Sequence, residues 1–171
     1  IDKEKREDGR KPFDYRNVTV EVNPLPRPSG SARVRIGDTE VLAGVTLEVG
    51  TPYPDSPKDG NLMVMAELPP ASNPDFESGP PRPAAIELSR VVDRGIRESH
   101  CIDTAKLCIT PGEKVWTVVV DIYPVNDAGN LLDAAGLAAI TALKNAVFPK
   151  YDKKTEQINH REMTKTKLPV N

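Results

Sequence analysis

The sequence predicts an α+β protein in which helices pack on a largely antiparallel or mixed sheet. Three observations predict it. Apolar and polar residues alternate with period two through several short segments of the first half. Two later segments, 84–100 and 130–147, have helical length and helical spacing of apolar residues. The order is four strands, helix, two strands, helix, which is not the strict strand–helix alternation of a parallel sheet.

Composition sets the bounds. A chain of 171 residues is long enough for one domain with a real core. Hydrophobic residues make up 38% and charged residues 28%, the balance of a globular protein rather than a disordered one. The formal net charge is −2, so no global basic field advertises nucleic acid, and any such contact must come from a local patch. No apolar run reaches the ~18 residues of a membrane span, and no secretory leader is visible. Cys101 and Cys108 do not form a metal-binding pattern and are expected as reduced thiols of a cytoplasmic protein. No metal and no cofactor is expected. Ile1 is not an initiator methionine, which predicts that the natural start lies upstream.

Residues 1–16 hold six basic and five acidic side chains and are expected as a solvated helix or arm. Residues 17–23, NVTVEVN, alternate valine with polar side chains and predict a half-buried strand. After the break PLPRPSG, two alternating runs flank Gly37-Asp38, which predicts a tight hairpin. Residues 51–61 form a proline-rich loop. LMVMAEL, 62–68, is apolar almost throughout and predicts a central strand. Residues 69–83 are a long loop without periodicity. The helix over 84–100 buries a stripe of Leu88, Val91, Val92, Gly95 and Ile96. KLCIT and WTVVVDIYPV are strands joined by a turn at Pro111-Gly112. The helix over 130–147 has almost no polar face and belongs between sheets or domains. The body of the domain is 17–150, and 151–171 is expected as the start of a connection to a second half.

Two places carry chemistry. Arg90, Arg94 and Arg97 recur at spacings of four and three and share one side of the first helix, with Arg82 just before it. A guanidinium fork matches phosphate oxygens. The alternative is a solvated face in which Asp93 pairs with Arg97 and Arg94 with Glu98. Arg90 beside Arg94 repels it, which an anion nearby would rationalise. The second place is Asn126-Asp127-Ala128-Gly129-Asn130, a glycine loop leading into the second helix. Asp127 or Asn130 can cap the free amides, or those amides can hold an anion. The residues after Gly129 are Asn130, Leu131 and Leu132, and no lysine or arginine follows before Lys144. The loop has the shape of an anion site and the charge of a cap. Asp121 and Asp133 flank it; Asp121, read as ending a strand, is a candidate carboxylate or a turn partner. His100 and His160 are isolated, and no Ser/His/Asp or Cys/His constellation is readable.

These segments carry a resemblance. GSARVRIGDTEVLAGV (30–45), IELSRVVDRGIRES (86–99) and VVDIYPVNDAGNLLDAAGLAAITAL together resemble the RNase PH family of phosphorolytic exoribonucleases, in the family's order and over Asp8 to about Phe148. EDGRKPFDYRNV and ELPPASNPDFESGPPRPAAIELSRVVDR are more similar to one branch, the non-catalytic RNase PH-like subunits of the archaeal exosome. The resemblance implies the first half of a subunit of the ribosomal protein S5 domain 2-like fold. It implies a ring, a trimer of heterodimers with a catalytic RNase PH-like paralogue, capped by RNA-binding subunits and degrading single-stranded RNA from its 3′ end. Catalytic members follow the loop glycine with a small hydroxyl residue and an arginine that grip inorganic phosphate. Here Asp127, Gly129 and Asn130 make a degenerate version of that loop. The resemblance therefore implies no catalytic residue in this chain, and a role for Arg90, Arg94 and Arg97 in binding the RNA backbone beside the partner's active site.

Overall fold

The computed structural model describes Arg6 and residues 8–171. The expected arm 1–16 lies partly outside them; from Asp8 onward it is turns rather than helix, with Arg10 held by Asp8 at 2.6 Å and by the Asp14 carbonyl at 2.8 Å.

The main sheet comprises β1 (Val18–Val22), β2 (Gly30–Ile36), β3 (Thr39–Gly50), β4 (Asn61–Ala66), β5 (Cys108–Thr110) and β6 (Lys114–Asn126). Its path runs β1-β2-β3-β6-β4, and the short β5 pairs with β6. The β1–β2, β2–β3 and β3–β6 pairings are antiparallel, whereas β4 lies parallel to β6. The mixed sheet is thus the expected one, and the β2–β3 hairpin turns where Gly37-Asp38 demands. Helices α1 (Pro83–Glu98) and α2 (Leu131–Asn145) cover one face of it.

The core follows from the strand period. Val41, Ala43, Val45 and Leu47 of β3 and Val118, Val120 and Ile122 of β6 point to the helix side, and none of these side chains is more than 1% exposed. From α2, Ala134, Ala135, Ala138, Ala139 and Ala142 meet them, fully buried. Such small side chains let the helix backbone lie close to the sheet. At Gly30 the approach is closest: a Cβ there would stand 2.4 Å from the Ala142 carbonyl oxygen and 2.7 Å from the Ala146 backbone.

Four sequence expectations change. β1 is an edge strand with all five residues exposed, because α2 covers β2 and β3 and leaves Val18, Val20 and Val22 overhanging. β4 is also an edge, not central. Its parallel pairing explains the apolar run, but only Leu62, Val64 and Ala66 face the core while Met63 and Met65 face outward. In α1 the buried stripe is Ala85, Leu88, Val92 and Ile96; Val91 and Gly95 are exposed on its flank. Within this chain α2 is not sandwiched, since Leu132 is exposed and Gly136, Ile140 and Lys144 line an open groove beside α1.

The tail also does more than connect. Strands β7 (Val147–Asp152) and β8 (Gln157–Lys167) form an antiparallel hairpin, a second sheet of two strands. Trp116 of β6 anchors its base, making edge contacts with Phe148 at 5.1 Å and Tyr151 at 5.7 Å between ring centroids. Beyond β8, Val170 bridges to Ile102.

Candidate nucleic-acid interface

The glycine loop is built by four separate segments. β6 delivers Asn126, whose side-chain amide donates to the Asp38 carbonyl at 2.6 Å. The amide of Asp127 donates to the Ser72 carbonyl at 3.0 Å, and Asn73 Nδ2 donates to Asp127 Oδ2 at 3.1 Å. The other oxygen, Asp127 Oδ1, accepts from the Gly129 amide at 3.0 Å. Thr39, fully buried, accepts from the Ala128 amide at 3.0 Å and donates to the Gly129 carbonyl at 2.7 Å through one hydroxyl. Gly129 and Asn130 are both left-handed, with φ of +87° and +62°. Two successive positive φ values suit glycine and asparagine, which adopt the left-handed region most readily.

The expected helix cap is not made. Asn130 occupies the N-cap position of α2, but its side chain accepts no capping bond, and Asp127 closes the loop on Gly129 instead of capping the helix. The loop amides of Asp127, Ala128 and Gly129 each have an internal acceptor, whereas no side chain among the described residues caps the first-turn amides of α2. Asp133 supplies negative charge in the first turn, where the helix dipole favours it.

The expectation of a loop without a cation is corrected by the fold. No lysine or arginine follows Gly129 before Lys144, yet Arg16 reaches the loop from the arm and donates to the Ala128 carbonyl at 3.0 Å and to the Gly129 carbonyl at 2.9 Å. It grips the carbonyl edge of the turn, not the amide edge. Separated from the loop by more than a hundred residues, it leaves no spacing signal. The charged sequence 1–16 is the only trace of it. A cleft lined by Arg10, Arg16, Asn130 and Asp133 opens beside the start of α2.

The arginine face of α1 sits opposite the buried stripe. Its three members differ. Arg97 binds Asp93 with both arms of the fork, at 3.0 and 2.8 Å, and also donates to the Leu62 carbonyl on β4 at 3.1 Å. The Asp93 bond holds the Arg97 guanidinium above its ordinary pKa. Arg94 and Glu98 stand 3.7 Å apart, both side chains well exposed. Arg90 is exposed and makes no ion pair among the described residues. Arg82, ahead of the helix, pairs with Glu77 of the loop. Both pairs of the solvated-face alternative therefore form, and Arg90 is the member they leave over.

Asp121 lies within β6, opposite Gly44 and Met65, rather than at a strand end. Partial burial, then the charges of Glu67 and Glu48, push its carboxyl pKa up. Among the described residues no group of acids, cysteines and histidines could hold a metal ion, and no helix is long and apolar enough to cross a membrane.

Known proteins resemble the chain in sequence and fold. Residues 14–149 match the family described as "3' exoribonuclease family, domain 1". The Exosome complex component Rrp42 of Methanosarcina acetivorans is 52% identical over 147 residues, 86% of this chain and 55% of that protein. The same component from Thermococcus kodakarensis is 46% identical over 169 residues, 98% of this chain and 62% of that protein. A chain of the structure described as "archaeoglobus fulgidus exosome with RNA bound to the active site" has 48% identity and a TM-score of 0.87, over 98% of this chain and 63% of that one. Rice Rrp46 shares the fold at 27% identity and a TM-score of 0.64, over 90% of this chain and 72% of that one. The chain thus spans little more than half the length of the first of these curated relatives. With its mixed sheet, its two helices and its strand–loop–helix turn in the family's order, the chain belongs to the 3′ exoribonuclease (RNase PH) family and carries that family's first domain.

Proposed function

We propose that this domain belongs to a non-catalytic, RNA-binding subunit of a phosphorolytic 3′–5′ exoribonuclease ring of the archaeal exosome type. The observation that carries the reading is the division of arginines. Arg16 closes the loop on itself, so the degenerate turn Asp127-Gly129-Asn130 presents no guanidinium to a phosphate at its amides. Arg90, meanwhile, stands at the surface with no ion-pair partner among the described residues, and Arg94 has only the exposed Glu98 at 3.7 Å. In this reading Arg90 and Arg94 contact the RNA backbone, and Arg97 fixes the helix against β4 so that they are held in place. The likeness to Rrp42 proteins and to an RNA-bound archaeal exosome chain supports it.

The proposed partners are a catalytic RNase PH-like paralogue, paired in a trimer of heterodimers, and RNA-binding cap subunits. Residues 8–16 serve as arm, 17–150 carry the main sheet and its helices, and the β7–β8 hairpin that begins at Val147 leads toward a second half. The free thiols Cys101 and Cys108 suit a reducing compartment, and we place the protein in the cytoplasm. Attack of phosphate on the terminal phosphodiester takes place in the partner, whose own loop stabilises the charge on the transferring group.

The test is reconstitution. The isolated full-length protein should release no nucleoside diphosphate from RNA in the presence of phosphate, and should raise activity when mixed with its paralogue. Arg90→Ala with Arg94→Ala should weaken RNA binding and lower its salt slope by about 0.7 for each phosphate no longer neutralised. Unchanged affinity would defeat the assignment. The second reading is a subunit active alone, and it is favoured by one observation: Arg16 already lies at the loop. Nucleoside diphosphate released by the lone subunit, and abolished by Arg16→Ala, would establish it instead.

A further inference from the structure

We infer that the β7–β8 hairpin is a second polyanion-binding surface, separate from α1, and that it takes the sugar–phosphate backbone of single-stranded RNA. Residues 147–167 hold six lysines and arginines against three carboxylates, in a chain whose net charge is −2, so the rest of the molecule is net acidic. The three carboxylates are engaged. Glu162 pairs with Lys150 at 2.8 Å, Glu156 with Lys114 of β6, and Asp152 accepts the Lys154 amide at 2.8 Å in the turn. Lys153, Lys154, Arg161, Lys165 and Lys167 are all exposed, and none of their side-chain cations has an ion-pair partner among the described residues.

The hairpin is a held surface rather than a loose tail. Trp116 packs between Phe148 and Tyr151 at its base, Lys114 ties down Glu156, and the Val147 amide donates to Ser29 while Leu168 donates to Ala146, each at 2.9 Å. Register shifts on either side of Pro149 put extra residues in β8, which bends the strand and fans its side chains. The eleven residues of β8 pair with the six of β7, a ladder of roughly 20 Å and the reach of a few nucleotides.

The chemistry favours RNA over an acidic protein. A protein interface is organised around an apolar centre. On β8 the one large exposed apolar side chain is Met163, while Asn159, His160 and Thr166 interleave the cations with hydrogen-bonding groups. Cations and neutral polar groups without an apolar centre suit a backbone of repeated phosphates. The identity of the polyanion rests on the RNA-binding function proposed above; the surface itself does not.

The experiment compares three proteins by fluorescence anisotropy with a labelled oligoadenylate of about 16 nucleotides, between roughly 50 and 200 mM salt. They are the wild type, the combined variant Lys153→Gln, Lys154→Gln, Arg161→Gln, Lys165→Gln, Lys167→Gln, and the variant Arg90→Ala, Arg94→Ala. A thermal melt checks that each is folded, and if the fivefold variant melts early, the exposed-turn pair Lys153→Gln, Lys154→Gln replaces it. The hairpin variant should bind more weakly, with a salt slope smaller by about 0.7 for each phosphate it no longer neutralises. For three such phosphates the salt-induced drop in affinity shrinks about 20-fold. Wild-type binding by the hairpin variant, with weakening only in the α1 variant, overturns the hairpin surface and leaves the proposed function standing. Weakening only in the hairpin variant supports the surface and removes α1 from the RNA path. Wild-type binding by both overturns both, even if the hairpin captures an acidic peptide.

Discussion

The loop before α2 and the outer face of α1 both carry the raw material of a phosphate site, and the structure uses them in opposite ways. The loop turns its polar groups inward: its amides at 127–129 and its carbonyls at 128 and 129 are all bonded within the chain. The outer face of α1 leaves Arg90 and Arg94 to solvent. The loop amides are therefore not available to an anion, although they lie beside the uncapped start of α2. A guanidinium counts toward a site only if its hydrogen-bonding fork is not already taken.

Substitutions can sharpen that contrast, beginning with the largest effect. Thr39→Val keeps the side-chain shape but removes the hydroxyl that serves both Ala128 and Gly129, and should cost about 2–3 kcal/mol in a denaturant titration. Full stability in this variant would show that the loop is not held from within. Arg16→Ala removes two charge-assisted bonds at a more exposed position, and a drop of about 1 kcal/mol is expected. On α1 the order should reverse between stability and binding. Arg97→Ala should lower stability by about 0.5–1 kcal/mol, since the pair with Asp93 is partly exposed, whereas Arg90→Ala should leave stability within about 0.5 kcal/mol and act only on RNA affinity.

The smallest effect concerns pH. Burial and the Glu67 and Glu48 charges raise the Asp121 pKa in the folded state above the unfolded value of 3.8. The folded protein therefore binds the proton more tightly, and ionised Asp121 disfavours folding as pH rises past that value. Asp121→Asn should raise the melting temperature at pH 7, and the gain should vanish below about pH 4. A gain that grew on acidification would reverse the sign of this account.

The sequence made much of the fold legible because the signals were local. Period two in 39–49 and the Gly37-Asp38 turn need only neighbours to be read, and the hairpin lies where they point. What failed depended on distant partners. Val18, Val20 and Val22 alternate like half-buried residues, but whether a helix covers them is decided by α2, more than a hundred positions later. The apolar run 62–68 signalled a strand correctly and its place in the sheet wrongly, since it lies at an edge, parallel to β6, and an edge and a centre differ only in what lies alongside. The polar stretch after 151 has weak periodicity broken by bulges, so β8 was not visible. At the site, helical spacing placed Arg90, Arg94 and Arg97 on one face. Spacing offered the Asp93–Arg97 pair as one alternative, but it could not tell that Arg97 would also reach the Leu62 carbonyl, or that Arg16 would cross to the glycine loop.

The wedge at the base of the hairpin has a practical consequence. Trp116 is the single tryptophan of the sequence, and it lies where two aromatic rings of the hairpin close against the main sheet. The molecule thus carries its own optical reporter. Any event that lifts the hairpin away should change indole emission without a label, while events confined to α1 or the glycine loop should leave that light unaltered.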